Sequence, residues 1–311
     1  NLICLTHLKL KDNKNITAIC LESLTNLTSL NLIRDAVIFK NISQPLSYIT
    51  SLNIQGGQGI IDEKLKLFTN LTSLKLKDNN LITNEGLKLF TNLTSLDLGA
   101  FSYSSKITDE GLMQLTNLTS LNLEYVGPCY GQKITNRSLK NLNNLTNLNL
   151  ESNDAITDEG IKNHTKLKSL NLAYKDAITD EGIKNLTNIT SLNLESNDEI
   201  TDAGIINLTC LTSLDLSNTW DPWNKVIRNV TDKGISHLTN LTCLNLENNA
   251  SITNEGLRNL TRLTSLNLRS NENITNKGLR NLTNLTRLYL WATPKVTEEG
   301  YKHLAHITIL D

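Results

Sequence analysis

Apolar residues recur along the chain in one phrase, Leu-x-x-Leu-x-Leu, that returns at a nearly fixed interval. The first apolar residue of each phrase defines position 1 of a repeat: Leu5, Leu27, Ile49, Leu71, Leu93, Leu118, Leu145, Leu167, Ile189, Leu211, Leu241, Leu263, Leu285 and Ile307. Successive starts are 22 residues apart, except at three places where the spacing is 25, 27 and 30. Such a period indicates stacked repeats rather than a closed core. We predict a single repeat domain over 1–311, with inserted residues at 101–106, 124–133 and 217–230.

Within one repeat, the spacing of apolar residues changes from that of a strand to that of a helix. Leu74 and Leu76 alternate with polar residues, which is typical of a strand. Thr83 then lies where a helix N-cap is expected, and Leu87 and Phe90 are three residues apart. Each repeat is therefore predicted to contain one strand and one helix of about two turns, too short to be stable alone.

One strand and one short helix per repeat predict an α/β solenoid with a parallel sheet. Helices are wider than the spacing between strands, so we expect them on the convex side and the strands on the concave side. The apolar residues at positions 1, 4, 6, 12, 17 and 20 are predicted to form a continuous core. Asparagine recurs at position 9, as in Asn79 and Asn249, where a buried amide can satisfy backbone groups of adjacent repeats.

The phrase at 145–161, LTNLNLESNDAITDEGI, resembles the leucine-rich repeats. Its ITDEG ending is most similar to the cysteine-containing repeats of F-box proteins and to bacterial repeats of the GALA type. This chain departs from the first pattern by having asparagine, not cysteine, at position 9, and by a shorter outer segment. The resemblance implies a curved, right-handed horseshoe of about 14 repeats that acts as a protein-recognition module.

Composition narrows the classes of partner. The 30 basic and 31 acidic side chains give a net charge of −1, which does not favour a nucleic-acid or membrane partner. No apolar run approaches the roughly 18 residues of a membrane span. Five scattered cysteines indicate a reducing compartment, so we predict a cytoplasmic protein. The many Asn-x-Thr triplets leave a secreted or cell-surface protein as the alternative, although they also recur simply because the repeat recurs.

No constellation of residues indicates catalysis. His303 and His306 lack a third metal ligand and are expected on the surface, whereas His164 replaces an apolar residue and is expected to be buried. Cys129 and Cys243 have no histidine partner in the sequence pattern. We therefore predict no enzymatic activity, no metal and no cofactor. The acidic residues at the helix starts are adjacent in sequence, whereas calcium-binding loops place their ligands at alternating positions. A favourable interaction with the helix dipole explains these acids instead.

Residues that depart from the repeat pattern cluster where the strands end, at positions 7 and 8. We call this border the strand-exit rim and predict that it binds a protein partner, because packing does not require its aromatic and acidic side chains. The predicted binding residues are Trp220, Trp223, Tyr125, Tyr174, Glu124, Glu151, Glu195, Glu247, Tyr289 and Trp291. The alternative for Trp220 and Trp223 is that both side chains fold back and cover the solenoid instead of binding a partner.

The predicted function is a non-enzymatic protein–protein interaction scaffold, acting as the substrate-recognition segment of an F-box-like adaptor. The alternative is a host-directed effector or surface adhesion protein of a microbe. An enzyme that uses a rim cysteine or histidine is the third hypothesis. The chain starts and ends inside a repeat, so we expect it to be a piece of a longer protein. Uncapped ends would also permit end-to-end self-association.

Overall fold

The computed structural model confirms the predicted α/β solenoid. The structure describes residues 4–13, 16–34, 36–56, 60–99, 106–125, 133–174, 177–219 and 229–310. The chain divides into two compact units, Asn1–Asn149 and Leu150–Asp311.

Each unit contains seven strands, which pair in parallel and in the order of the sequence. The strands of the first unit are β1 (His7–Lys11), β2 (Ser29–Ile33), β3 (Ser51–Gln55), β4 (Ser73–Lys77), β5 (Ser95–Asp97), β6 (Ser120–Asn122) and β7 (Asn147–Asn149). Those of the second unit are β8 (Ser169–Asn171), β9 (Ser191–Asn193), β10 (Ser213–Asp215), β11 (Cys243–Asn245), β12 (Ser265–Asn267), β13 (Arg287–Tyr289) and β14 (Thr308–Leu310). From β1 to β7 and from β8 to β13, pairing joins equal repeat positions, as in Leu214 opposite Leu244, so the register follows the sequence period. At β14 the register moves by one residue, because Leu288 lies opposite Ile309, although the apolar pattern places Ile307 at position 1 of that repeat.

Short helices follow the strands. They are α1 (Ala18–Glu22), α2 (Asp62–Leu65), α3 (Asn84–Leu87), α4 (Asp109–Leu112), α5 (Asn136–Leu139), α6 (Asp158–Ile161), α7 (Asp180–Ile183), α8 (Asp202–Ile205), α9 (Asp232–Ile235), α10 (Asn254–Leu257), α11 (Asn276–Leu279) and α12 (Glu298–Tyr301), with a 3₁₀ helix at Ala36–Asn41. Most are only four residues long, so the expectation of two turns is wrong. Position 20 already belongs to the following turn, as Phe90 N–H donates to Leu87 O. The predicted threonine N-cap is confirmed: Thr83 Oγ1 accepts from Glu85 N–H.

The core is formed by the predicted positions. In the fourth repeat, Leu71, Leu74, Leu76, Ile82, Leu87 and Phe90 are all buried. His164 is buried in the same way as the leucine or phenylalanine that it replaces, as predicted, while His303 and His306 are exposed.

Position-9 asparagines of the second unit connect adjacent repeats, as predicted, whereas Asn79 Nδ2 in the first unit has no hydrogen-bond partner among the described residues. Asn249 is buried; its Nδ2 donates to Leu216 O at 2.9 Å, and its Oδ1 accepts from Ile252 N–H at 3.0 Å. The first bond reaches back to the preceding repeat, and the second fixes the chain on its way to the helix. Buried backbone groups at both ends of this turn are thereby satisfied.

Position 8, just before this asparagine, turns the chain out of the strand. Every described residue with a positive φ lies at this position: Asp12, Arg34, Gly56, Asp78, Ser152, Tyr174, Ser196, Asn248, Ser270 and Ala292. Tyr125 and Asn218, at position 8 of two lengthened repeats, are not among them. The extra residues of those repeats therefore accompany the loss of the left-handed turn.

A second ladder joins the helix starts and was not expected from the sequence. Asp180, the first residue of α7, accepts from Thr201 N–H at 2.8 Å and from Thr201 Oγ1 at 2.6 Å in the next repeat. Where asparagine replaces the acid, its amide makes the same pair of contacts; Asn254 accepts from Thr275 N–H and donates to Thr275 Oγ1. A Cβ atom on Gly204 would lie 2.3 Å from Asp180 Oδ1, so a larger residue there requires this carboxylate to shift. Serine is accommodated at the same position in α5, where Asp109 still accepts from Thr135 N–H and Oγ1 beside Ser138.

The recurrent Asn-Leu-Thr triplet also has a structural role. Asn188 Nδ2 donates to Thr165 O at 2.9 Å, and Thr190 Oγ1 donates to Lys168 O at 3.1 Å, while Ile189 between them is buried. Equivalent asparagine bonds recur at Asn70, Asn117, Asn144, Asn240 and Asn284. Packing and hydrogen bonding between repeats therefore account for the recurrence of the triplet.

Candidate partner-binding face

The side chains at positions 3, 5 and 7 lie on one side of the strands, which we call the strand face. In most of the three-residue strands, position 5 is an asparagine or aspartate that ends the strand, and its side chain accepts from the backbone of position 7. Asn193 Oδ1 accepts from Glu195 N–H at 2.8 Å, and Asn245 Oδ1 accepts from Glu247 N–H at 3.1 Å. This contact holds the position-7 side chain at a fixed place beyond the strand.

The structure places three of the predicted glutamates, Glu151, Glu195 and Glu247, on the strand face of the second unit, where all are half-buried. Asn171 Nδ2 donates to Glu151 Oε2 at 3.0 Å, and Asn267 Nδ2 donates to Glu247 Oε2 at 2.9 Å. Each of these acids therefore also contacts the neighbouring repeat.

Tyr174 lies beside these acids at the left-handed position 8, with φ 53° and 38% of its surface exposed. Its hydroxyl donates to Glu195 Oε1 at 2.6 Å. Partial burial of the phenol raises the pKa of Tyr174 to about 12, together with the hydrogen bond and charge of Glu195 and the charges of Glu151 and Asp215. The ring is thus an exposed aromatic surface surrounded by negative charge.

An arginine and aromatic cluster lies on β12 and β13. The guanidinium carbon of Arg269 is 5.3 Å from the centre of the Tyr289 ring, which is cation–π distance. Tyr289 is the last residue of β13 rather than a residue beyond it, and Trp291 follows with 62% of its surface exposed. Arg287, at position 3 of β13, is exposed beside them. These four residues replace the serine, asparagine and glutamate of other repeats.

Tyr125 is not available to a partner, and the expectation that it lies open on the rim is wrong. Only 7% of its surface is exposed. Because position 8 of this repeat lacks the left-handed turn, the strand alternation continues, and Tyr125 points inward with Leu121 and Leu123. Glu124, in the first unit, is half-buried, and its N–H donates to Asn122 Oδ1. Trp220 and Trp223 lie outside the described residues.

Sequence reasoning did not select Asp215 and Arg287. Asp215 ends β10, where its Oδ1 accepts from Ser217 N–H and its Oδ2 from Asn245 Nδ2. Both residues replace a residue type that recurs at their repeat position, asparagine at position 5 and serine at position 3. A search for departures from the repeat consensus at positions 3 and 5, and not only at 7 and 8, would have found them.

Groups that could support chemistry are separated from one another in the described part of the chain. Cys4, Cys20, Cys210 and Cys243 are free thiols, and Cys129 lies outside the described residues. Hydrogen bonds from the backbone and side chain of Thr17 lower the pKa of the exposed Cys20 thiol. No group of three or more His, Cys, Asp or Glu residues in the described ranges is arranged to hold a metal ion.

A family model for the leucine-rich repeat matches residues 69–90, 141–163, 163–186, 185–208, 237–260 and 259–283. These segments coincide with the strand–helix repeats described above, and similar solved structures cover the whole chain. The chain contains leucine-rich repeats over these six segments. Proteins of this family are generally non-enzymatic interaction scaffolds. The predicted leucine-rich repeats are thereby confirmed, while the F-box-associated and GALA-type subclasses stay predictions.

Three solved leucine-rich-repeat structures illustrate the similarity. An internalin, InlF, from Listeria monocytogenes is 26% identical with a TM-score of 0.55, over 100% of this chain and 87% of that chain. Rad7 from yeast, solved in complex with Elc1, is 19% identical with a TM-score of 0.60, over 98% and 80%. TLR13, solved in complex with ssRNA13, is 21% identical with a TM-score of 0.66, over 100% and 53%. No curated protein matches the chain in a sequence comparison.

None of the helices in the described part of this leucine-rich-repeat chain combines the length and the apolar character needed to cross a membrane.

Proposed function

We propose that the chain is a protein-recognition module without catalytic activity, and that the strand face of its second unit is the binding surface. The observation that carries the proposal is the contrast between a repetitive serine and asparagine lining and the side chains of β9 to β13. There Glu195, Glu247, Arg269, Tyr289 and Trp291 replace small polar residues or follow the strands. Tryptophan, tyrosine and arginine are the residues that contribute most to protein interfaces.

A protein partner suits this surface better than a nucleic acid. TLR13 was solved with RNA and Rad7 with a protein, so the fold accommodates both. In this chain, however, Glu151, Glu195, Asp215 and Glu247 place four carboxylates on the strand face of one unit. They would repel a phosphate backbone, whose binding depends on basic side chains.

Two observations guide the choice between the predicted roles. Internalin InlF, a bacterial protein, is 26% identical to the chain, whereas Rad7 is 19% identical, which concerns the fold alone. The free thiols at Cys4, Cys20, Cys210 and Cys243 favour a reducing compartment. We infer a microbial, host-directed effector that acts in the cytoplasm, since this role agrees with both observations. The F-box-like adaptor stays the other candidate, supported by the ITDEG repeat ending.

The test of recognition compares capture by three immobilised proteins from eukaryotic and bacterial cell extracts, quantified by mass spectrometry. One is the unmodified chain, and one carries Glu195→Gln, Glu247→Gln and Trp291→Ala. Glutamine keeps an acceptor oxygen for the local hydrogen bonds while the charge is removed. The matched control carries Glu159→Gln, Glu181→Gln and Leu89→Ala, which change exposed residues on the helix side.

We expect at least one protein to be captured by the unmodified chain and the control, and to be lost by about tenfold with the strand-face variant. Circular dichroism and thermal unfolding establish that all three proteins are folded. Equal capture by the strand-face variant, or equal loss with the control, contradicts the proposed surface.

A further inference from the structure

Acidic residues on the two sides of the second unit differ in how their charge is neutralised. At the helix starts, a lysine three residues later neutralises the glutamate, as in Glu181–Lys184 at 2.6 Å. On the strand face, Glu195, Asp215 and Glu247 form no ion pair within the described ranges; their partners are neutral. Tyr174 donates to Glu195, Asn245 to Asp215, and Asn267 to Glu247. Three half-buried carboxylates therefore have neutral hydrogen-bond donors but no cationic partner in the described part of the unit.

A separate observation lies next to these acids. Arg269, two residues beyond β12, and Arg287, on β13, carry positive charge, and Trp291 exposes 62% of its surface. An exposed tryptophan beside an arginine–tyrosine stack is a surface with hot-spot composition, independent of the acids. Along the sheet, negative charges at β9, β10 and β11 are thus followed by positive charges and aromatic rings at β12 and β13.

We propose that this ordered surface binds an extended segment of a partner protein in which basic side chains are followed by an acidic side chain. The inference rests on the proposed function and adds the chemistry of the partner. Lysine or arginine side chains would contact the carboxylates, and aspartate or glutamate would contact Arg269 and Arg287. An apolar side chain at the acidic end would cover Trp291. Charge complementarity of this kind specifies the register of a partner along the surface.

The strand spacing specifies the spacing of charges in the partner. Adjacent strands are about 4.8 Å apart, so Glu195 beyond β9 and Glu247 beyond β11 are separated by about 10 Å along the sheet, and β13, which begins with Arg287, lies about 10 Å beyond β11. A polyproline II segment advances about 3.1 Å per residue and returns to the same face every three residues. The matching pattern has charges at every third residue, in the order basic, basic, acidic, followed by an apolar residue.

The test uses two fluorescent peptides of identical composition and measures binding to the whole chain by anisotropy. The ordered peptide is Lys-Pro-Pro-Lys-Pro-Pro-Glu-Pro-Leu. In the interleaved peptide, the second lysine and the glutamate exchange places, which gives the same order of charges in both chain directions. We expect the ordered peptide to bind at least about fivefold more tightly, because the interleaved peptide places like charges opposite each other. Its affinity should decrease as NaCl is raised from 0.05 to 0.5 M.

Variants identify the contacts. Glu195→Gln with Glu247→Gln should weaken the ordered peptide about tenfold, and Trp291→Ala should weaken it by a similar factor. Glu159→Gln with Glu181→Gln, the matched control on the helix side, should leave its affinity unchanged. Equal binding of the two peptides, insensitivity to the strand-face variants, or tighter binding of a single-stranded oligonucleotide than of the ordered peptide overturns the inference.

The two proposals fail in different ways. If neither peptide binds while the extract experiment still shows capture that depends on the strand face, the charge order is wrong and recognition by this face stands. If capture is also insensitive to the strand-face variant, both proposals are wrong.

Discussion

The backbone conformation and the contacts of single residues in this chain depend on their position within the repeat more than on their immediate neighbours in sequence. Tyr174 shows this clearly, since a bulky side chain at φ 53° is unusual. Its position is the one at which every regular repeat leaves the strand, and its N–H donates to Glu195 O at 2.9 Å. The turn therefore holds the ring at the border of the strand face, where its hydroxyl reaches Glu195.

The raised pKa of Tyr174 gives a prediction at the residue scale. With its pKa at about 12, the phenol should stay protonated at pH 11, whereas an ordinary tyrosine with a pKa of about 10 is mostly ionised there. Glu195→Gln should lower the pKa of Tyr174, because a neutral side chain repels the phenolate less. It should not restore the ordinary value, since partial burial is the largest cause of the shift.

Titration of ¹³C-labelled tyrosine by NMR measures this pKa, with Tyr174→Phe identifying the resonance. Glu181→Gln, on the helix side, is the control and should leave the titration midpoint where it is. An unchanged midpoint in Glu195→Gln would show that the Glu195 contact has no part in the shift.

At the level of elements, each residue of the Thr-Asp-Glu-Gly motif at the helix starts has a different structural role. In α7, Thr179 caps the helix by accepting from Glu181 N–H, Asp180 binds Thr201 of the next repeat, and Glu181 pairs with Lys184. Gly182 leaves room for the carboxylate of the preceding repeat, Asp158. Helices of a single turn are not stable alone, so these contacts between repeats hold them.

The Asp–Thr ladder gives a prediction at the element scale. Asp180→Ala removes the acceptor of two hydrogen bonds and leaves the Thr201 N–H without a partner, so the free energy of unfolding should fall by about 2 kcal/mol. Asp180→Asn should cost less than about 1 kcal/mol, because asparagine makes both contacts at Asn254 in the same unit.

Urea unfolding followed by circular dichroism measures both values. The matched control is Glu181→Gln, which alters an exposed ion pair and should change the free energy by less than about 0.5 kcal/mol. Equal losses for alanine and asparagine at 180 would contradict the ladder as the source of stability.

The helix starts also show what the sequence could and could not reveal. The threonine cap and the apolar spacing act within a few residues, and both were predicted correctly. The partner of Asp180 is Thr201, 21 residues away in sequence, and the local pattern, which the helix dipole already explains, does not reveal this contact. Tyr125 was misplaced for a related reason: its burial depends on the loss of a turn that the regular repeats possess.

Over the whole molecule, the hydrogen bonds described above join consecutive repeats, and none of those named reaches beyond the next repeat. Asn249 reaches Leu216, and Asp180 reaches Thr201. Stability of such an array is close to a sum of repeat terms and nearest-neighbour terms. The apolar periodicity predicted this organisation. The order of charges on the strand face was not predicted, because it depends on the pairing of strands that lie 22 to 30 residues apart in the sequence.

Local coupling gives the prediction at the molecular scale. Asp180→Ala should increase amide hydrogen exchange in the repeats that contain α7 and α8 and leave β2 to β4 of the first unit unchanged, because opening need not spread through the array. Mass spectrometry of peptide fragments measures this difference. A uniform increase across both units would instead indicate one cooperative unfolding transition.

The pairing of an acid in one repeat with a threonine and a glycine in the next has a consequence for how such a gene changes. Both an Asp or Asn acceptor for the next repeat and the threonine donors for the preceding one are present in the 22-residue copies that begin at Leu71, Leu145, Leu167, Ile189, Leu241 and Leu263. A recombination event that deletes or duplicates one of these copies leaves a junction with the same acceptor and donor residue types. The number of repeats can therefore change in descendants of this gene with little loss of stability. The charges on the strand face would then change position relative to those of a bound partner.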